Sequence, residues 1–230
     1  MSRVDHVNRL IAGTCMVLSP LLLLAAAIVL PDLDRDAPAQ LAAIADATDR
    51  WLISSLLVLG ALALAVPAVL GLAHMLRERQ MWMATIGAGV ALVGILASVG
   101  GVAIALVAWQ MVDGGSAIQM AALLDRVNDS AAIWIPFTLC AFGVGAGLLM
   151  LGGALAMSGL LSAPMGLLIA VGGVLATIGY PLTTPLLILI GAACLCLGLG
   201  LTGVMVLRET DEDWAHTPEF RGMRGIAGAH

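Results

Sequence analysis

Few side chains in this sequence could carry out chemistry, and their spacing argues against a reaction centre. Cys194 and Cys196 form a Cys-x-Cys pair inside an apolar run. Residues two apart on a helix point to different faces, so this pair could not hold one metal ion. Cys15 and Cys140 also lie in apolar runs, away from any aqueous compartment that would oxidise them to a disulfide. We interpret the cysteines as packing residues and expect no metal or other cofactor.

The histidines and serines also form no recognisable reaction centre. His6, His216 and His230 lie in polar termini, and His74 ends an apolar run close to Arg77. A haem held between membrane helices would need histidines deep inside the apolar runs. The sequence contains no Ser-His-Asp set, His-Glu-x-x-His or Gly-x-Ser-x-Gly motif. We therefore predict no catalytic residue among them and interpret His74 as an interfacial polar residue.

The remaining polar candidates lie in the two longer links between apolar runs. Asp46 and Arg50 are in the first link, and Asp125, Arg126 and Asp129 are in the second. Carboxylates at such positions could act as general acids and bases on one side of a membrane. They could equally be solvated surface charges, which is the simpler interpretation of an acidic stretch.

These candidates must be positioned by membrane helices. Hydrophobic residues make up 61% of the 230 residues and charged residues 11%, whereas a soluble domain carries about 25% charge. Six apolar runs are each about as long as a helix that crosses a ~30 Å hydrocarbon layer. The sequence thus predicts an all-α bundle of six transmembrane helices in residues 1–207, followed by a polar, flexible tail in residues 208–230. The predicted spans are 10–30, 51–76, 81–112, 131–157, 163–180 and 185–207.

Two short amphipathic helices are predicted in the longer links. Asp36 is placed to cap the first, with Pro38 in its first turn, and Ser116 is placed to cap the second. The letters QLAAIAD at 40–46 resemble QMAALLD at 119–125. A unit of span, outer helix and span therefore occurs twice, which indicates an internal repeat.

The arginines predict how the chain is threaded. All ten basic residues are arginine, and seven would face one side if both termini lie on that side. By the positive-inside rule, that side is the cytoplasm. Arginine without lysine, in a chain rich in Ala and Gly, favours a bacterial source and hence the inner membrane. The chain has no basic patch for nucleic acid, so its predicted surroundings are the lipid bilayer and any membrane-protein partner.

Small residues recur at helical spacing in several spans. In lipid, helices associate through close backbone approach, and small side chains permit it. These stripes therefore predict helix packing, most simply within the chain and alternatively as a seam for a second protein or a second copy. The stripes comprise Gly143 and Gly147, Gly89 and Gly101, and the series Ala192, Cys196 and Gly200.

The predicted order of elements resembles a known family. It runs as one span, an outer helix, two spans joined by a short basic turn, a second outer helix and three spans, and residues 41–73 and 123–179 carry the likeness. In topology and apolar pattern the chain resembles a group of small six-span bacterial membrane proteins classed as a domain of unknown function. The resemblance implies the fold, but no activity and no site residue.

Charge is missing from the middle of every predicted span, which argues against ion-coupled transport. We therefore expect a non-catalytic membrane protein that acts through helix contacts, such as an accessory or scaffold subunit. The alternative is a carrier or binder of a small apolar or lipid-like molecule, held between helices kinked at Pro20, Pro67 and Pro136. A third hypothesis is a membrane enzyme that uses the outer-face carboxylates.

Overall fold

A computed structural model of the chain describes residues 3–112, 114–211 and 214, and all regular secondary structure in them is helical. A π-helical turn, Cys196–Gly200, joins the last two of nine α-helices into one segment, Pro185–Arg208. The helices are α1 Arg3–Val29, α2 Ala37–Asp46, α3 Thr48–Leu76, α4 Met81–Met111, α5 Ala117–Asn128, α6 Ala131–Ser158, α7 Ala163–Gly179, α8 Pro185–Leu195 and α9 Leu201–Arg208.

The predicted all-α membrane bundle with two short outer helices is confirmed. Five segments are long and apolar enough to cross a membrane, within α1, α3, α4 and α6 and across α8 and α9. Helix α7, with 17 residues, measures about 25 Å and reaches across a ~30 Å core only with its flanking turns. The chain is therefore a multi-pass membrane protein with five candidate membrane-spanning segments among its described residues, and α7 is a shorter apolar helix beside them.

The six membrane segments form a ring in the order α1, α3, α4, α6, α7 and the α8–α9 segment, which returns to α1. We call the end that holds the start of α1 and the end of α9 the inner end, and the opposite end the outer end. The ring is filled toward the inner end by side chains with no exposed surface. These include Met16, Leu72, Leu76, Leu151, Leu155 and Val206.

Short turns fix the inner end. Helix α6 stops at Gly159, which adopts the left-handed conformation (φ 67°) that favours glycine. Arg79, in the turn between α3 and α4, donates a hydrogen bond of 2.9 Å to the carbonyl of Ser158. The two turns are thereby joined across the ring.

Glycines allow the helix backbones to touch. A Cβ placed on Gly147 of α6 would lie 2.5 Å from the backbone nitrogen of Ala91 in α4, and one on Gly143 would lie 2.9 Å from the carbonyl of Val90. Gly152 of α6 faces Gly166 of α7 in the same way. Since lipid gives apolar helices little reason to prefer each other over acyl chains, such contacts hold the ring together.

We expect Gly147→Ala to destabilise the protein by about 1–3 kcal/mol, because its new methyl group would overlap the α4 backbone. Gly153 lies on the same helix with open space where its Cβ would be, so Gly153→Ala is the matched control and should cost nothing. The free energy of unfolding in detergent micelles measures both. Equal stability of the two variants would contradict a close α4–α6 contact.

Candidate functional site

The outer end is closed by α2 and α5, which contact each other over α3 and α4. We call this assembly the outer cap. Asp36 caps α2 as predicted, accepting a hydrogen bond from the backbone of Ala39; Ser116 stands at the N-cap of α5 but its side chain makes no capping bond. Trp51 of α3 is buried beneath the cap, and its indole donates a 2.9 Å hydrogen bond to the carbonyl of Ala105. The apolar faces under the cap contribute Ala37, Leu41, Ile44, Ala121, Leu124 and Ala108.

The five predicted outer-face residues all lie exposed on the outer cap and its flanks: Asp46, Arg50, Asp125, Arg126 and Asp129. The guanidinium of Arg50 donates to the carbonyl of Val29 at the end of α1, at 3.2 Å. Within the described residues, no hydrogen bond or ion pair joins any two of the five. The structure therefore places them on one surface without bringing two carboxylates together as an acid–base pair.

The small-residue positions divide into those used inside the chain and those left open. Gly143 and Gly147 pack against α4, and Ala192 is fully buried. A Cβ atom added at Gly89 or Gly101 would have no neighbour within 4 Å, and both glycines are exposed.

The π-helical turn divides the stripe that runs from Ala192 to Gly200. It widens the helix at Cys196–Gly200, so residues four apart no longer share one face. The thiol of Cys196 donates to the carbonyl of Pro20 in α1, at 3.1 Å, while Gly200 faces open space. Residues 192, 196 and 200 therefore have three different surroundings.

The outward face of α4 carries Gly89, together with Val93, 55% exposed, and Leu96, 72% exposed. Gly101 lies seven residues after Gly94 and is therefore on the side of α4 that faces α6. A groove of about 290 Å³ runs beside Gly89, between α4 and α6, with Leu139 and Gly143 on its far side. A second, apolar groove of about 190 Å³ lies between α4 and α5.

The densest polar cluster lies at the inner end and was not predicted as a site. We call it the inner junction: His6 and Arg9 of α1, His74 and Arg77 at the end of α3, and the described residues 208–211 and Trp214. Arg9 is 7% exposed. Its Nε donates to Asp211 at 2.8 Å, and its Nη1 donates to the carbonyls of Val206, Leu207 and Glu209 at 3.2, 3.0 and 2.6 Å.

A histidine and a tryptophan form the other half of the inner junction. The rings of His74 and Trp214 stack with centroids 4.6 Å apart, and Trp214 is 3% exposed. His74 Nε2 donates to the carbonyl of Trp214, and its Nδ1 accepts from Arg77, both at 3.2 Å. One neutral tautomer satisfies both bonds, because a carbonyl can only accept and a guanidinium can only donate.

In the sequence, Arg9 was only one of the seven arginines that indicate orientation, and Trp214 lay within the tail predicted to be flexible. The prediction of a flexible tail from residue 208 falls largely on residues 212–213 and 215–230, which lie outside the described residues. At Asp211 and Trp214 the chain packs against α1 and α3. The available signal in the sequence was Arg9 at the start of an apolar helix, because a buried charge requires a partner.

No group of His, Cys, Asp and Glu in the described residues could hold a metal ion. Cys15, Cys194 and Cys196 are free thiols. No protein-family model, curated protein or solved structure matches the chain significantly. The resemblance to a six-span family therefore stays a prediction from topology.

We expect Trp51→Phe to lower the free energy of unfolding by about 1 kcal/mol, because the substitution removes the hydrogen bond to Ala105 beneath the outer cap. Trp82 is 75% exposed at the start of α4, so Trp82→Phe is the matched control and should change stability by less than about 0.5 kcal/mol. Unfolding in micelles measures both. A cost at Trp82 equal to that at Trp51 would refute a specific role for the indole bond.

The inner junction predicts an acid-dependent loss of stability. Desolvation raises the pKa of Asp211, but hydrogen bonds from His6 and Arg9, together with their charges, outweigh it and hold the pKa below its ordinary value of 3.8. The ionised Asp211 carboxylate therefore contributes its full stabilisation to the folded protein above about pH 3.8, and this stabilisation is lost as the pH falls through the lower native pKa.

Thermal midpoints of the wild type and Asp211→Asn should differ near neutral pH and converge as the pH falls below about 3.8. The exposed Asp125 supplies the control, since Asp125→Asn should follow the wild type throughout. A constant gap between the wild type and Asp211→Asn down to about pH 2 would show that the carboxylate charge does not hold the junction.

Proposed function

We propose that the chain is a non-catalytic integral membrane protein that acts through helix–helix contact, as an accessory or scaffold subunit of a membrane assembly. The contact surface is the outward face of α4, defined by Gly89, Val93 and Leu96. The protein is multi-pass, and we propose a bacterial inner membrane as its location, with both termini in the cytoplasm.

One observation carries this proposal: Gly89 is open and exposed beside Val93 and Leu96, although nothing inside the chain requires a glycine there. Glycine in a helix interior costs about 1 kcal/mol relative to alanine. Gly143 and Gly147 have a use that explains this cost, namely contact with the α4 backbone. A second helix lying against the outward face of α4 would give Gly89 the same use.

The burial of α4 supports the same surface. Only 22% of its most apolar stretch is buried inside the chain, compared with 50% for the Pro185–Arg208 segment. The groove beside Gly89 also flanks α4, and a side chain of a neighbouring helix could enter it. An acyl chain could enter the same groove, which is the basis of the carrier alternative.

Two further features fit the proposal. Seven of the ten arginines lie in the terminal segments and the α3–α4 turn, which is the bias expected if these face the cytoplasm. Helices α2 and α5, which have similar letters, each follow one membrane helix and precede another. The internal repeat therefore predicts two related halves, of which the second contributes the contact helix α4.

A photoreactive amino acid at Leu96 tests the contact surface in native membranes. We expect a discrete protein adduct in the wild type and its loss in the variant Gly89→Leu, whose side chain would separate the helices. Gly153→Leu, which adds the same side chain at an open position on α6, should keep the adduct.

Two outcomes would contradict the proposal. An adduct with lipid alone would favour the carrier alternative and its groove. A protein adduct that survives Gly89→Leu would mean that neighbours meet α4 by chance and not through this open glycine.

A further inference from the structure

The second groove, between α4 and α5, lies at the outer end and has apolar walls. Ile104, Val107 and Met111 of α4 line one side, and Leu124 and Val127 of α5 line the other. Val107 is 54% exposed and Leu124 is buried, so the groove runs from the bilayer-facing side of α4 to the underside of α5. Its volume is about 190 Å³, whereas a pocket that encloses a drug-sized molecule has about 300–1,000 Å³. The groove can therefore hold part of one acyl chain but cannot enclose a whole lipid.

An arginine without a partner in the described part of the chain lies next to this groove. Arg126 is exposed and immediately precedes Val127, which lines the groove. No described residue forms a hydrogen bond or an ion pair with its guanidinium. A guanidinium carries five N–H donors in a planar arrangement that matches a phosphate group. A phospholipid with one acyl chain in the groove would bring such a phosphate to the level of Arg126.

Two exposed carboxylates flank this arginine. Asp125 precedes Arg126, and Asp129 is the C-cap of α5. The backbone nitrogen of Asp129 donates to the carbonyl of Asp125 at 2.8 Å, so the two aspartates share one face of the last turn. A purely anionic headgroup would meet one positive and two negative charges here. A headgroup with both a phosphate and a primary ammonium group complements this pattern of charges.

We infer that the second groove and the last turn of α5 bind a phospholipid with a primary ammonium headgroup, from the leaflet at the outer end. One acyl chain lies in the groove, the phosphate accepts hydrogen bonds from Arg126, and the ammonium group donates to Asp125 and Asp129. The site is distinct from the proposed contact surface, since Val107 lies about 16 Å along α4 from Leu96, the nearer end of that surface. The inference does not depend on the proposed function.

Native mass spectrometry of the full-length protein tests the inference, after purification in micelles with equal amounts of phosphatidylethanolamine and phosphatidylglycerol of the same acyl chains. We expect the wild type to retain the ethanolamine lipid in preference to the glycerol lipid. Arg126→Gln should retain about fivefold less of the ethanolamine lipid, because it loses the charge-assisted hydrogen bonds to phosphate. Arg208→Gln, at an exposed arginine of the inner end, is the matched control and should retain as much as the wild type.

Further variants test the groove and the carboxylates separately. Ala103 lines the groove and is exposed, so Ala103→Phe should fill the groove without unfolding the protein and lower the retention of both lipids about tenfold. Ala122→Phe, at an exposed position of α5 outside the groove, should retain lipid as the wild type does. Changing Asp125 and Asp129 together to Asn should remove the preference for the ethanolamine lipid.

Three outcomes would overturn the inference. One is equal retention of the two lipids by the wild type. The second is undiminished retention of the ethanolamine lipid by either Arg126→Gln or Ala103→Phe, and the third is an unchanged preference in the double aspartate variant. The photocrosslinking result at Leu96 stands apart from all three, because it reports on the contact surface and not on this groove.

Discussion

The structure depends on one constraint, which is that a bilayer gives helices nothing to bind. Hydrocarbon offers no hydrogen-bond partner to the backbone and no hydrophobic reason for one apolar helix to prefer another. Association must come from atoms that fit closely. Gly147 against Ala91 and Gly152 against Gly166 bring backbones together at distances that a side chain would prevent. The ring of six membrane segments follows from such contacts.

The same constraint gives meaning to the glycines that make no contact. Where glycine packs against a neighbouring backbone, close contact between the helices offsets its low helix propensity. Gly89 and Gly101 make no such contact within the chain, and Gly89 shares its helix face with the exposed side chain of Leu96. In the sequence, a glycine that packs against another helix looks the same as one that does not. Only the structure distinguishes the two kinds.

Features that depend on local pattern could be predicted from the sequence, and features that depend on distant contacts could not. Apolar length was enough to find the membrane helices, and Asp36 with Pro38 was enough to find the start of α2. The pairing of Arg9 with Asp211 joins residues 202 positions apart, and no periodicity encodes such a contact. The π-helical turn, which packs against α1 and α7, was also missed, because no local sequence pattern indicated it.

The inner junction shows how a charge can be buried at the edge of a membrane bundle. The guanidinium of Arg9 lies at the carboxyl end of α9, where unsatisfied carbonyls and the helix dipole favour a cation. Asp211 adds a counter-charge, so these acceptors offset the desolvation of Arg9. Every one of these acceptors belongs to the end of α9 or to residues 209–211. Asp211 and Trp214 are therefore held to the bundle by electrostatics and one buried aromatic ring, whereas close backbone contacts hold the membrane helices together.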